Sequence, residues 1–191
     1  KMASINTNYG AMVAAQSLAA TGRDLDKVQN RVTTGLKISS AKDNGAVWAI
    51  ATTQKANAKA LDATINNLQR SQSVNDVGLA AGDSIMAALT EMKSLEAAIL
   101  AGGTGVASYQ ADYDALSTEI GNIVTAATFD GTAALTAPAG GTPPATVVAG
   151  GVQTAIDAWA GTLQTLGTTS KSLERQVTFN SKLQDALEAG A

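Results

Sequence analysis

Side chains that could carry out acid–base, nucleophilic or metal chemistry are sparse in this 191-residue sequence. It contains neither histidine nor cysteine, so the usual base for a serine nucleophile and the commonest zinc ligands are both missing. A desolvated lysine can replace histidine as a base. The relevant lysines lie among polar helix positions that favour a solvated face, namely Lys42, Lys55, Lys59 and Lys93. We therefore expect no catalytic residue, no cofactor and no bound metal.

The carboxylates and glycines lead to the same expectation. Asp24 and Asp26, like Asp112 and Asp114, are two residues apart on predicted helices and therefore point in different directions. A paired-carboxylate enzyme stays open as an alternative, but a solvated face is the preferred interpretation. The strings GGTG and AGGT lack the GK[ST] of a phosphate-binding loop, and no clear strand precedes either one. These patterns favour assembly over catalysis.

Charge and hydropathy exclude two classes of partner. The net charge of -3 gives no basic footprint, so we expect no nucleic acid partner. No apolar run approaches the roughly 20 residues that cross a bilayer, so we expect no membrane insertion. The first residues lack the basic and apolar segments of a secretory signal, which by itself indicates the cytoplasm. Lys1 precedes Met2, where we expect the native start.

The proline distribution predicts the fold class. All three prolines, Pro138, Pro143 and Pro144, fall in one seven-residue window, and the chain on either side is patterned for helix. Proline inside a helix costs about 3 kcal/mol, so its absence elsewhere permits very long helices. Aromatic residues make up only 4% of the chain, and much of its apolar content is alanine. We expect a mainly α fold, an elongated antiparallel helical rod with a small β-hairpin or loop at its tip.

Two long helical tracts precede the tip. The first runs from about Gly10 to Val32, and its apolar positions follow a coiled-coil spacing of 4-3-4-3-4 through Ala14, Leu18, Thr21, Leu25, Val28 and Val32. This seam is weak alone and should need partners. Ser40 and Asp43 resemble a capping box before a second tract, from Ala41 to about Leu100. Its seam is Ala58, Leu61, Ile65, Leu68, Gln72, Asn75 and Leu79, and it continues through Ile85, Leu89 and Met92 after a phase slip near Gly82.

The second half of the chain contains two more helices and the tip. A shorter helix has its seam at Tyr109, Tyr113, Leu116, Ile120 and Ile123. Phe129 to Gly151 breaks the pattern and is interpreted as the hairpin or loop. The last helix repeats most regularly, and we expect its Leu163, Leu166 and Leu173 to pack against Leu61, Ile65 and Leu68 as a rod core. Trp48 and Phe179 lie off the seams and are candidates for contacts with a third helix or a neighbouring subunit.

Four strings in the sequence are more specific than its periodicity. The opening SINTN, the TGLKISSAKDNGA junction, the TFDG turn and the closing TLGTTSKSLERQVTFNSKLQDALEAG closely resemble bacterial flagellin, in order and over nearly the whole chain, particularly the short flagellins of alphaproteobacteria. The resemblance implies a structural subunit of the flagellar filament that self-assembles after type III export and serves swimming motility. The alternatives are a hook–filament junction protein and a cytoplasmic coiled-coil scaffold, although a scaffold would not explain SAKDNGA and TFDG.

The resemblance also implies a domain map and a set of partners. Residues 1–38 would be an N-terminal inner-core helix and linker, and residues 39–191 a rod domain with a short tip at 129–151 in place of variable outer domains. Family members continue beyond Ala191 into a second terminal helix, so the chain would be truncated there. It would then stay monomeric, or bound to a chaperone, at concentrations where the full-length protein polymerises. The expected partners are further copies of the chain, a flagellar export chaperone, and hook-associated and cap proteins. Export reverses the cytoplasmic indication to an extracellular filament. The polymerisation or chaperone seam would comprise Ala14, Leu18, Leu25, Val28 and Val32.

Overall fold

A computed structural model of the protein describes residues 8–35 and 37–190. This part of the chain contains four helices and one pair of very short strands: α1 (Tyr9–Thr34), α2 (Gly45–Ala101), α3 (Val106–Ala126), β1 (Thr128–Phe129), β2 (Thr132–Ala133) and α4 (Gly151–Ala189). The expected mainly α fold with a small β-hairpin is confirmed. Of the strings named above, SINTN lies outside the described residues except for Asn8, and Leu36 of the junction and Ala191 also lie outside them.

The chain divides into two compact units. Unit 1 comprises residues 1–59 and 185–191, and unit 2 comprises residues 60–184. Within the described residues, unit 1 therefore contains α1, the loop that follows it, the first turns of α2 and the end of α4 from residue 185. Unit 2 contains the rest of α2, α3, the hairpin and nearly all of α4. The predicted domain boundary after residue 38 stays a prediction.

Polar side chains start both helices of unit 1. The side chain of Asn8 accepts a hydrogen bond from the backbone N–H of Ala11 at 3.2 Å and so caps α1. Asn44 does the same for α2, because its side-chain oxygen accepts from the N–H of Val47 at 3.2 Å. The predicted helix start at Ala41 is therefore wrong. Of the predicted capping box only one half is present, the hydrogen bond from the backbone N–H of Ser40 to Asp43, and it lies in the loop before α2. Asparagine was the stronger capping residue in this stretch.

Asp43 instead organises the loop that precedes α2. Its Oδ2 accepts from the backbone N–H groups of Ser39 and Ser40, at 3.2 and 3.3 Å, and from both serine hydroxyls at 3.3 Å. The hydrogen bond from the backbone N–H of Ser39 is the main cause of a lowered pKa for this carboxyl group. Asp43 is thus an ionised acceptor that gives a polar loop a defined shape.

One apolar core holds unit 2 together. Its fully buried side chains come from three helices: Ile85, Leu89 and Met92 from α2, Tyr113 from α3, and Val152 and Trp159 from α4. The predicted seams of these helices thus supply the core, including the α2 positions beyond the phase slip. Since few aromatic residues are available, Trp159 and Tyr113 provide much of the buried volume.

Helices α2 and α4 run antiparallel within unit 2, in a register fixed by polar contacts. The side-chain amide of Asn75 donates to the carbonyl of Leu166 at 3.0 Å, and that of Gln184 donates to Asp62 at 2.7 Å. Glycines let the chains approach closely, because a Cβ atom on Gly78 would lie 2.7 Å from the carbonyl oxygen of Ala134. A Cβ on Gly82 would likewise overlap the side chain of Leu163.

This register differs from the expected pairing of leucines. Leu163 and Leu166 lie next to Gly82 and Gly78 of α2, whereas the sequence suggested that they would lie against Leu61, Ile65 and Leu68. The difference is roughly two heptads. A shift by whole heptads keeps every seam position on the same face of its helix, so the apolar pattern alone does not distinguish the two registers.

The tip consists of a hairpin followed by a long loop. Strand β1 pairs with β2 in antiparallel register, Thr128 with Ala133 and Phe129 with Thr132. Asp130 and Gly131 form the turn, with positive φ angles of 49° and 73°, as a two-residue hairpin turn of this twist requires. Asp130 also forms an ion pair with Arg70 of α2. Residues 134–150 have no strand and run as a loop to the start of α4.

Candidate functional site

The predicted seam of α1 is a continuous exposed apolar stripe. No residue of α1 is buried, and the exposed fractions are 75% for Leu18, 55% for Leu25, 54% for Val28 and 78% for Val32. Ala14, the remaining seam position, is exposed as well. Contiguous apolar surface of this kind marks interaction sites in soluble proteins. The stripe is therefore the principal candidate for binding another polypeptide.

Further exposed apolar side chains occur in each unit. In unit 1, Val47, Trp48 and Ile50 lie at the start of α2. In unit 2, Phe179 and Leu183 lie one turn apart on α4, and Phe179 is 65% exposed. Trp48 and Phe179 were expected to lie off the intramolecular seams, and both are exposed. Val47 and Ile50 were not predicted to be exposed apolar residues. The string VWAI is a run of adjacent apolar residues, and a seam that uses every third or fourth residue accounts for only part of it.

The six residues predicted as a rod core are less buried than the core just described. All six are half-buried, namely Leu61, Ile65, Leu68, Leu163, Leu166 and Leu173. Leu166 packs against the buried cluster of unit 2, and Leu163 packs over Gly82. The structure thus brings two of them next to α2, at positions other than those predicted.

The side chains first considered for chemistry lie on the surface. Lys42, Lys55 and Lys59 are exposed, and Lys93, also exposed, donates to the side-chain oxygen of Gln153. Both aspartate pairs are exposed too. Among residues 8–35 and 37–190, no cluster of three acidic side chains is arranged to hold a metal ion. Within the same ranges, no helix combines the length and the apolar character needed to span a bilayer.

Two polar contacts made by buried side chains were not predicted from the sequence. Glu96 of α2 is 8% exposed, and its two oxygens accept the backbone N–H groups of Gly150 at 2.7 Å and Val152 at 2.8 Å. The hydroxyl of Tyr113 donates to the carbonyl of Pro144 at 3.1 Å. Burial, followed by the charges of Glu96 and Asp114, raises the pKa of Tyr113. These groups fasten the loop and α4 to the helices, and no local sequence signal reveals such distant pairs.

Comparison with known proteins identifies the family. Residues 5–138 match the family model described as the bacterial flagellin N-terminal helical region. Flagellin FljK of Caulobacter vibrioides is 40% identical to this chain, and flagellin FljO of the same species is 37% identical. In both cases the similarity covers 98% of this chain and 82% of the relative. Flagellin D of Rhizobium meliloti is 33% identical over 72% of this chain and 36% of its own length.

These similarities confirm the family suggested by the four strings, including its alphaproteobacterial character. The alignment with the Caulobacter flagellins spans 226 positions, more than the 191 residues of this chain, so those relatives contain additional residues within the aligned region. The exposed apolar stripe and the long helices have a natural explanation in a protein that polymerises. The chain belongs to the bacterial flagellins, the structural proteins that assemble into the extracellular filament of the flagellum.

Proposed function

We propose that this flagellin divides filament assembly between the exposed stripe of α1 and the packed helices of unit 2. The observation that supports this division is the contrast in burial. No side chain of α1 is buried, whereas α2, α3 and α4 share a core of fully buried side chains. A helix without intramolecular cover gains stability only when a partner covers its apolar face. Contacts between subunits would therefore order α1, as in other segments that fold on binding.

The proposal assigns residues 1–38 to the inner core of the filament and residues 39–191 to the surrounding tube. The stripe of α1 meets neighbouring subunits in the filament, and before export it meets a chaperone. The half-buried leucines of α2 and α4 form the apolar face of the rod. Residues 129–151 form a short outer tip, which the hydrogen bonds of Glu96 and Tyr113 hold in place.

Export and capping complete the proposal. The subunit leaves the cell unfolded through the flagellar type III apparatus and adds to the filament under the cap, with hook-associated proteins at the base. A chain without cysteine is suited to this route, because it forms no disulfide cross-link on the way. The protein acts as a building block and not as an enzyme, since its lysines and aspartate pairs lie on solvated surfaces.

Electron microscopy of cells separates the proposed role from its alternatives. A bacterium lacking its own flagellins should regain long filaments and swimming when it expresses the native protein. Short structures confined to the hook would instead indicate a hook–filament junction protein. Retention of the folded protein in the cytoplasm, with no surface structure, would indicate a scaffold.

Variants of the stripe test its part in assembly. Leu25→Asp with Val28→Asp places two charges on the stripe and should abolish filament growth from seeds. Ala63→Asp with Asn66→Asp adds the same charge at the same spacing to exposed positions of α2 and should leave growth nearly unchanged. Equal growth of both double variants would remove the stripe from the assembly contacts. Each variant is made in the full-length native protein, and light scattering with added filament seeds measures the growth rate.

A further inference from the structure

Unit 1 contains a cleft with an unusual concentration of positive charge. The cleft has a volume of about 610 Å³ and lies between the second half of α1 and the loop before α2. Four cationic side chains line it, namely Arg23, Lys27, Arg31 and Lys42. Two carboxylates also reach it, those of Asp26 and Asp43. The cleft therefore has an excess of positive charge.

The four cations lack partners within the described part of the chain. None of them takes part in a hydrogen bond or ion pair there. The ion pair of Arg70 with Asp130 lies in unit 2, away from the cleft. One oxygen of Asp43 is already occupied by four hydrogen bonds from Ser39 and Ser40. Like charges four residues apart on a helix destabilise it slightly. Arg23, Lys27 and Arg31 have this spacing, so an anionic partner would relieve their repulsion.

The opposite charge is concentrated in unit 2. Residues 8–59 contain seven Lys or Arg and three Asp or Glu, whereas residues 71–170 contain one Lys and nine Asp or Glu. Helix α3 has no cationic residue at all. Its Asp112 and Glu119 are exposed and have no hydrogen-bonding or ionic partner among the described residues. The chain thus presents a basic surface and an acidic surface that are chemically complementary.

The spacing of charges on the two helices is similar. Asp112 and Glu119 are seven residues apart and so share one face of α3, about 10.5 Å apart along its axis at 1.5 Å per residue. Arg23 and Arg31, at the two ends of the basic run, are about 12 Å apart along α1 by the same rise. The two carboxylates of α3 therefore have nearly the same axial spacing as the two arginines at the ends of the basic run.

We propose that the basic cleft of one subunit binds the acidic face of α3 on a second copy of this chain. The inference rests on the proposed function, because a filament brings many copies to a high local concentration. The net charge of -3 disfavours a free polyanion as the occupant. The contact guides subunits into register through charge, whereas the apolar stripe of α1 supplies buried area.

Charge reversal in the cleft tests the contact. Arg23 and Lys27 lie on the side of α1 away from Leu18 and Leu25, so Arg23→Glu with Lys27→Glu leaves the apolar stripe unchanged. Growth of seeded filaments should slow by about tenfold, the lower end of electrostatic effects on association rates. Lys55→Glu with Lys59→Glu is the matched control, since it makes the same change of charge at the same spacing on exposed α2 positions outside the cleft. Circular dichroism confirms that each variant keeps its helical content.

A mixing experiment identifies the occupant. Asp112→Lys with Glu119→Lys makes the α3 face basic, and this variant should also grow slowly alone. An equal mixture of the cleft variant and the α3 variant should grow several-fold faster than either variant alone, because every contact between unlike copies then joins a cleft to an oppositely charged α3. Such a rescue requires contact between different copies.

Two results would overturn the inference. The cleft variant could grow as fast as the Lys55→Glu, Lys59→Glu control, in which case the cleft has no role in assembly. Alternatively the mixture could stay as slow as its components, in which case the cleft binds something other than α3, such as a polyanion. Either result leaves the proposed function intact as long as the unmodified protein forms filaments. Failure of the unmodified full-length native protein to polymerise would contradict the proposed function itself.

Discussion

The carboxylate of Glu96 supplies what the start of α4 lacks. The residue before this helix is Gly150, which has no side chain to accept the free N–H groups of the first turn. Glu96 reaches across from α2 and accepts the N–H groups of Gly150 and Val152. A negative charge at this position also interacts favourably with the helix dipole. One residue thus caps α4 and fixes the end of the loop at the same time.

Replacing Glu96 by glutamine tests this capping role. Glu96→Gln keeps the size of the side chain but exchanges one acceptor oxygen for an NH₂ group, so a buried backbone N–H loses its partner. The free energy of unfolding should fall by about 1–3 kcal/mol. Glu91→Gln, on the exposed surface of the same helix, should change it by less than about 0.5 kcal/mol. Urea denaturation of the two variants makes the comparison, and equal midpoints would contradict the role.

Tyr113 links stability to alkaline pH. Burial raises its pKa, assisted by the charges of Glu96 and Asp114, so the folded protein holds the phenolic proton more tightly than the unfolded chain does. Its stabilising contribution is complete below the ordinary tyrosine pKa of about 10 and is lost as pH rises through the raised value. Thermal unfolding followed from pH 8 to 11 should show this loss. Tyr113→Phe should be less stable at pH 8 and should weaken less on going to pH 11; parallel curves would rule out the linkage.

At the scale of elements, the contact of α2 with the tip and α4 depends on two glycines one turn apart. Glycine within a helix normally costs about 0.5–1 kcal/mol relative to alanine. Positions 78 and 82 nevertheless require glycine. A Cβ atom on Gly78 would overlap Ala134, and a Cβ atom on Gly82 would overlap Leu163. The absent side chains are therefore a packing feature of unit 2.

A pair of glycine substitutions separates packing from helix propensity. Gly78→Ala should destabilise the protein, because its Cβ would lie 2.7 Å from a backbone carbonyl oxygen that cannot move alone. Gly121→Ala in α3 should stabilise it by about 0.5–1 kcal/mol, since nothing lies within 4 Å of the added carbon. Differential scanning calorimetry measures the melting temperatures of both variants and makes the comparison. A gain in stability for Gly78→Ala would mean that α2 and the tip are packed too loosely for the added carbon to meet Ala134.

The sequence predicted which helices form better than it predicted how they pair with one another. The seven-residue spacing of Leu18, Leu25 and Val32 is a local property of α1, and it correctly located an apolar stripe. The pairing of α2 with α4 depends on Asn75, Gln184 and the glycines, which are far apart in sequence and look ordinary one at a time. Heptad repeats match one another equally well after a shift of seven residues. The register of α2 against α4 could therefore be determined only from the structure.

At the scale of the whole molecule, stability is unevenly distributed along the chain. Helix α1 buries no side chain, whereas Leu89, Met92 and Trp159 of unit 2 are completely buried. Opening free energies within one protein range from near zero in poorly packed segments up to the global value in the core. Under the proposed role of α1 in assembly, a subunit that crosses an export channel and then binds neighbours benefits from keeping this helix at the low end of that range.

Hydrogen exchange measures this distribution directly. On the isolated subunit, amides of α1 should exchange fast, while those around Leu89 and Trp159 should be protected up to the global free energy of unfolding. In filaments, α1 should become protected as its stripe is covered. Protection of α1 in the isolated subunit equal to that of the unit 2 core would contradict the division of roles, because the helix would then be stable without neighbours.

The positions of the two tryptophans have an optical consequence. Trp159 is completely buried in unit 2 and donates its indole N–H to the carbonyl of Gly141 at 2.8 Å, whereas Trp48 in unit 1 is 40% exposed. The sequence contains no other tryptophan. Their fluorescence therefore contains a blue component from a dry environment and a red component that a water-soluble quencher can reach. The unlabelled protein therefore has one fluorescent reporter in each unit. Trp159 reports the unfolding of unit 2, and Trp48 reports whether its surroundings become buried.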